Sequence, residues 1–241
     1  MRLMLTILFS GLAITVAYAP PIVAAEPPTD DDQAMFNGRS LTGWKVYPDT
    51  AKADWSVRNG VVTGIGTENR LSYLVWHDTK LTDFELNFEY RMVTDGNTGV
   101  EVRAWPDQSG KRPFEGYHAD LGHVGIGKNI LGAWDFHFAE RREHPCPRGT
   151  SLVINPNQTA TSSKLQDSVR LEDIRKRDWN HVRVVARGSH FQFFINKHIS
   201  AEFTDSAAEG QLQRGAIGLQ LHDKGMHVEF RKLFLRRLES K

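Results

Sequence analysis

Thr82-Asp-Phe-Glu-Leu-Asn-Phe-Glu-Tyr-Arg-Met-Val-Thr-Asp-Gly-Asn-Thr-Gly-Val-Glu-Val-Arg-Ala-Trp105 is the stretch whose periodicity decides the fold. Phe84, Leu86, Phe88, Tyr90 and Met92 alternate with Glu85, Asn87, Glu89 and Arg91. Period-two alternation suits a strand with one buried face and cannot line one face of a helix. Asp95-Gly96 lies in the turn-rich segment that follows, where a residue tolerating positive φ is needed. Val100, Val102 and Ala104 then alternate with Glu101, Arg103 and Trp105. The expectation is a hairpin with one apolar face. Its other face carries Glu85, Glu89, Arg91, Glu101 and Arg103, more charge than a plain solvent face needs.

The same pattern extends outward in both directions. Trp55 and Val57 precede an Asn59-Gly60 turn and a return strand from Val61, the signature of a tight hairpin. Residues 71–76 form a further strand. On the C-terminal side, Val182, Val184 and Ala186 share a face, as do Phe191, Phe193 and Ile195 before an Asn196-Lys197 turn. Ile217, Leu219 and Leu221 alternate with Gly218, Gln220 and His222. Val228 and Phe230 fall out of phase with Leu233 and Leu235, which places a bulge near Arg231-Lys232. Residues 169–176 allow one short helical turn. Residues 115–164, rich in Gly and Pro, read as loops over one end or face. The fold class is all-β: a two-sheet β-sandwich or jelly roll of the concanavalin A-like lectin/glucanase type, formed by residues 36–241 as one domain.

Ahead of that domain, Arg2, an apolar run over residues 3–16 and Val23-Ala24-Ala25 form a signal-peptide pattern, with cleavage expected after Ala25. Residues 26–35 read as a flexible leader. The apolar run is shorter than the roughly 20 residues of a membrane span, so a secreted or periplasmic chain with no integral membrane segment is expected. Basic and acidic residues number 30 and 29, a balance that gives no general attraction to nucleic acid. Cys146 is the single cysteine, so no intramolecular disulfide forms and stability must come from the core.

A polar sheet face with aromatics at its margins suits sugar binding, which makes an oligosaccharide or glycoside the expected partner. Glu85-Leu-Asn-Phe-Glu89 resembles the carboxylate strand of jelly-roll β-glucanases. However, residues four apart on a strand lie roughly 13 Å apart, whereas glycosidase carboxylates stand about 5–9.5 Å apart. Pairing of Glu85 and Glu89 with arginines across the hairpin is the alternative. His118 and Asp120 face the same way on a strand, so the carboxylate can orient the imidazole or share a metal with it; an ordinary surface loop is the competing reading. Gln220 and His222 fall opposite an apolar face. Trp105 and Trp134 are candidates for stacking on sugar rings, against a default reading as core.

Several segments together resemble an exported jelly-roll family described as 3-keto-glycoside hydrolases, or 3-keto-glucoside 1,2-lyase/2-hydroxy-glucal hydratases. They are Phe36-Asn-Gly-Arg-Ser-Leu-Thr-Gly-Trp44, Asp83-Phe-Glu-Leu-Asn-Phe-Glu-Tyr-Arg91, Asn97-Thr-Gly-Val-Glu-Val-Arg103, Gly116-Tyr-His-Ala-Asp-Leu-Gly122, Trp179-Asn180, Gly218-Leu-Gln-Leu-His222 and Val228-Glu-Phe-Arg231. The family usually carries Gln or Glu where His118 stands and Asn-Gly where Asn196-Lys197 stands. Residues 132–142 look like a stretched version of a family loop ending in acid-Arg-Arg.

The resemblance implies cleavage of 3-keto-glycosides. A ketone at C3 acidifies the C2 proton, the enolate expels the C1 oxygen, and water adds back to the glucal. Such chemistry needs a base, a group steadying the enolate and an acid for the leaving group. His118 with Asp120 would be base and orienter, Arg103 and His222 would steady the enolate, and Glu140 or Arg141 would serve the leaving group. Glu89, Arg91, Gln220, Trp105 and Trp134 would bind substrate. The sequence requires no cofactor and leaves a divalent metal open. The alternatives are a non-catalytic lectin-like module and a conventional β-glucanase.

Overall fold

The computed structural model describes residues 29, 31–68, 71–122 and 130–239; the expected signal peptide lies outside them. The first eight strands are β1 (Gln33–Ala34), β2 (Trp44–Tyr47), β3 (Trp55–Arg58), β4 (Val61–Ile65), β5 (Ser72–Trp76), β6 (Phe84–Met92), β7 (Thr98–Pro106) and β8 (Phe114–Gly122). There follow β9 (Trp134–His137), β10 (Thr150–Ile154), β11 (Ala160–Lys164), β12 (Asn180–Arg187), β13 (His190–Ile195), β14 (His198–Asp205), β15 (Ala216–Leu221) and β16 (His227–Arg237). Helical structure among the described residues is limited to two 3-10 segments, Asp49–Asp54 and Leu171–Asp173. None is long and apolar enough to cross a membrane.

Two sheets form the sandwich. The larger runs β11-β10-β14-β13-β12-β6-β16-β4-β3, with β1 added on β16, and the smaller runs β2-β5-β15-β7-β8-β9. Phe84, Leu86, Phe88, Val100, Val102, Ile217, Leu219 and Leu221 all lie in the core between them, as their spacing requires. The Asn59-Gly60 turn has both residues at positive φ and joins β3 to β4. The expected bulge in β16 appears as a register shift between Arg231 and Phe234, with Lys232 at φ 52°.

Three expectations need correction. The stretch at residues 82–105 is not a hairpin: β6 pairs with β12 and β16, whereas β7 pairs with β8 and β15 in the other sheet. The intervening turn crosses the sandwich, so Glu85, Glu89 and Arg91 face away from Glu101 on the opposite side of the molecule. Ala104 does not join Val100 and Val102 inside. A register shift between Val102 and Trp105, with Arg103 at φ 48°, reverses the alternation and packs Ala104 with Tyr73 and Phe114 apart from the main core. Residues 115–164 are not loops throughout, since they supply β8 to β11. At the described end of the expected leader, Gln33–Ala34 pairs with β16 and Asp32 holds Arg236 at 2.9 Å.

Lys197 carries φ 73° in the β13–β14 turn. An L residue pays a steric penalty there that glycine avoids. Lys197→Gly is expected to raise unfolding stability by about 0.5–1 kcal/mol in denaturant melts; a fall would show that the Lys side chain contributes more than its backbone costs.

Candidate active site

Alternation in the smaller sheet sends one residue set inward and the other to its outer face. Tyr117, Ala119, Trp134 and Phe136 join the core, so Gly116, His118, Asp120, Asp135 and His137 point outward. Register brings these together with Glu101: Glu101 stands opposite His118, His118 opposite Asp135, and Gly116 opposite His137.

The result is a dense cluster. Glu101 Oε1 receives His118 Nδ1 at 3.1 Å and also the Nδ1 of His137 in a very short contact. The two imidazoles stack with centroids 4.7 Å apart. Their outer nitrogens meet second carboxylates: His118 Nε2 lies 3.6 Å from Asp120, and His137 Nε2 lies 3.5 Å from Asp135. Glu101 is 0% exposed and the His118 side chain 2%, while that of His137 is 16% exposed and is the imidazole open to solvent. Glu101 Oε2 and Asp120 Oδ2 are buried without a hydrogen-bond partner among the described residues. Gly116 makes room for this arrangement, because a Cβ there would sit 2.3 Å from Glu101 Oε2.

The electrostatics follow from this proximity. Burial alone would raise the Glu101 carboxyl, but the charges of His137 and His118 hold it far below the usual carboxylate range. Burial would lower His137; the Glu101 carboxylate overrides it and pushes the imidazole up to about 9. His118 likewise resists burial and is raised by Glu101 and Asp120. Asp120 is raised, chiefly by burial. Glu101 thus favours its ionised form and biases both imidazoles toward the protonated one.

Glu101, His118 and His137 also offer one ligand atom each within 4.8 Å of one another. Two imidazoles and a carboxylate are a donor set suited to a zinc-class cation, and the orphaned Glu101 Oε2 adds acceptor capacity.

The other sequence candidates are dispersed. Arg103 is spent inside the fold, donating to the carbonyls of Thr82, Gly188 and Leu212 and to Asp83, above the ring of Phe191; its positive φ turns it away from the cluster. Arg141 forms a bidentate pair with buried Asp205. Glu140 is 83% exposed, 3.6 Å from Lys111. His222 pairs with Asp223 at 2.8 Å. It stands four residues beyond Gly218, the partner of Glu101, or roughly 13 Å along β15. Glu89 is held by Arg231 and Lys232, and Arg91 by Glu229, on the larger sheet. Trp134 is core, its indole bonded to the Ala201 carbonyl, and Trp105 is tied to the Arg214 carbonyl. Gln220 does face outward, donating to the Tyr73 hydroxyl at 3.1 Å.

His118, Asp120 and Gln220 are thus the sequence candidates on this face. Glu101, His137 and Asp135 were not assigned roles from sequence. The alternation Trp134-Asp135-Phe136-His137 is the signal that marks Asp135 and His137 as strand residues sharing a polar face.

A two-sheet sandwich with a polar constellation on one outer sheet face defines a jelly roll of the lectin and glycoside-hydrolase type. The chain belongs to the 3-keto-alpha-glucoside-1,2-lyase-like domain family, whose model matches residues 31–236. That membership places it among carbohydrate-active domains. Two solved structures of candidate glycosyl hydrolases from Parabacteroides distasonis share the fold. One has 17% identity and a TM-score of 0.59, covering 90% of this chain and 99% of that one. The other has 18% identity and a TM-score of 0.54, covering 86% and 99%. The VIP36 exoplasmic/lumenal domain, solved with Ca2+ and Man3GlcNAc, aligns at 8% identity with a TM-score of 0.54 over 88% of this chain and 91% of its own. No curated protein matches this chain.

Proposed function

We propose that the protein cleaves 3-keto-glycosides by removing the C2 proton and eliminating the C1 oxygen, with water then adding to the glucal. The observation that carries this reading is the buried Glu101–His118–His137 cluster. Burying ionised groups is costly and concentrates at sites that use them; a sugar-binding surface alone has no need of stacked imidazoles bridged by a buried carboxylate. Family membership supports the substrate class.

In this reading His137, the partly exposed imidazole of the pair, takes the C2 proton while the C–H electron pair moves into the C2–C3–oxygen enolate; collapse of the enolate breaks the C1–oxygen bond, and the departing oxygen takes the proton back from the His137 imidazolium. His118 lies beneath it as a cation and steadies the negative charge, with Asp120 and Glu101 fixing its ring. This assigns His118 a supporting part in place of the base suggested by sequence, because its side chain is enclosed. If a divalent cation is bound, Glu101, His118 and His137 would hold it, and it would polarise the C3 carbonyl.

Incubation with 3-keto-disaccharides and their unoxidised parents, before and after chelation, tests the reading. Cleavage confined to the oxidised sugars is expected; turnover of neither favours a lectin-like module. In metal-free protein, His137 must lose the proton that Glu101 holds on it before acting as base. The rate should therefore climb through neutral pH and level off near pH 9. The stability linkage has the opposite sign. The raised imidazole contributes fully below its ordinary 6.5, and that contribution is lost as pH rises through about 9. A flat rate between pH 6 and 9 would remove His137 as the base.

A further inference from the structure

We propose that the outer face of the larger sheet carries a separate ligand site, which takes a uronate-bearing glycan with its carboxylate on Lys197 and His181. The site lies across the sandwich from Glu101 and is independent of the elimination reading. Strand alternation builds it. Leu86 and Phe88, Val182 and Val184, Phe193 and Ile195, and Leu233 and Leu235 enter the core, so Asn87, Arg183, Phe194 and Phe234 project outward. Register sets these four in one row over neighbouring strands: Phe194 opposite Arg183, Arg183 opposite Asn87, and Asn87 opposite Phe234. Three strand spacings put the two phenylalanines roughly 14 Å apart. His181 and Arg236 flank the row on opposite sides, level with Glu89 and Glu85. The result is a groove of about 420 Å³ that also takes in Lys197 and Asp32. It is open: Lys197 is exposed, His181, Asn87 and both phenylalanines are half-buried, and the Arg183 side chain is 40% exposed.

Charge at the His181 end is unbalanced. Arg183 donates to Glu85 at 2.9 Å, and Glu89 accepts from Arg231 at 2.6 Å and Lys232 at 2.8 Å. Lys197 adds a fourth cation against those two carboxylates and has no hydrogen bond or ion pair among the described residues. The other end is neutral, because Asp32 closes on Arg236 at 2.9 Å. An incoming anion is therefore drawn toward Lys197. The His181 ring is likewise without a hydrogen-bond partner among the described residues. Burial, together with Lys197, Arg183 and Lys232 and against Glu89, holds it below its ordinary value, so it offers a neutral N–H to the second carboxylate oxygen. Lys197 keeps φ 73° although nothing in the fold engages its ammonium; strain retained in this way points to use by a ligand. The row beside it favours a sugar over a peptide. Arg183 lies 5.0 Å from the Phe194 ring centroid, making one flat wall, and Phe234 makes the other. Between them the Asn87 amide, held by Glu85 at 2.9 Å, leaves its oxygen for ring hydroxyls.

Calorimetric titration at low salt tests the site with digalacturonate, its methyl ester and a hexaglutamate peptide. Digalacturonate should bind about tenfold more tightly than either of the others, the size of one charged hydrogen bond. Lys197→Gly should weaken digalacturonate about tenfold, while Lys197→Arg, which keeps the charge, should stay within about threefold of wild type. Glycine suits the backbone at this position, so weaker binding by Lys197→Gly cannot be put down to unfolding. Phe234→Ala should weaken digalacturonate and its ester alike, because the ring contact does not depend on charge. In NMR titrations the His181 midpoint should rise when digalacturonate is bound, since a carboxylate then faces the ring. No digalacturonate binding by wild type, equal binding of the ester or the peptide, or undiminished binding by Lys197→Gly would overturn the site.

Discussion

Glu101→Gln is expected to lower kcat/KM on a 3-keto-glycoside by about 10²–10⁴-fold, the span that general acid–base catalysis contributes. Glu101 Oε1 orients both imidazoles through their Nδ1 atoms and holds protons on each. An amide oxygen can still accept from both imidazoles but supplies no charge, so His137 and His118 would fall back from their raised values. Steady-state kinetics at several pH values reads both effects. The residual activity should lose the climb toward pH 9, because the proton that Glu101 held on His137 is gone. The alkaline loss of stability should disappear with it. His137→Ala should match the rate loss without restoring the pH profile. Activity within threefold of wild type in Glu101→Gln would show that the cluster is structural.

Asp205→Ala is expected to cost about 3–5 kcal/mol in denaturant unfolding, the penalty for stripping one partner from a buried ion pair. Asp205 lies at the end of β14 and accepts Tyr117 Oη at 2.6 Å, Arg141 Nη1 at 2.7 Å, Arg141 Nη2 at 2.9 Å and the Ala207 N–H at 3.1 Å. Tyr117 comes from β8, so the network ties the smaller sheet to the larger one. Burial, and then the Asp205 charge, push the Tyr117 hydroxyl upward, so it remains a donor at any working pH. Arg141 lies over the Phe138 ring, 4.2 Å from its centroid. Without Asp205 its guanidinium would be an uncompensated charge. Changing Arg141→Met together with Asp205→Leu should recover much of the loss, since apolar replacement removes both desolvation costs. A cost below 1 kcal/mol for Asp205→Ala would mean that Arg141 swings to solvent freely.

Much of the architecture is readable from alternation, because burying one face of a strand forces period two on its side chains. Phe84, Leu86 and Phe88, and likewise Ile217, Leu219 and Leu221, are core for this reason. Periodicity does not say which sheet a strand joins. The Asp95-Gly96 segment suits a hairpin turn and a sheet-to-sheet crossing equally, so Glu89 and Arg91 read as neighbours of Glu101 although they lie on the opposite sheet. The reversal at Arg103 is equally silent, since no glycine announces its positive φ. Within the site, His118 and Asp120 are legible from their shared strand face. Glu101 and His137 become partners only through the β7–β8 and β8–β9 registers, a long-range property that no local motif carries.

The central claim is that this outer sheet face removes the C2 proton of a 3-keto-glycoside. The most direct test is incubation of wild-type protein with a 3-keto-disaccharide and its unoxidised parent in deuterated water, followed by NMR of the C2 position. Deuterium at C2 of the released keto sugar, none in the parent, and loss of that exchange in Glu101→Gln are expected. Cleavage that leaves the C2 proton in place, or cleavage of the unoxidised parent, would contradict the claim.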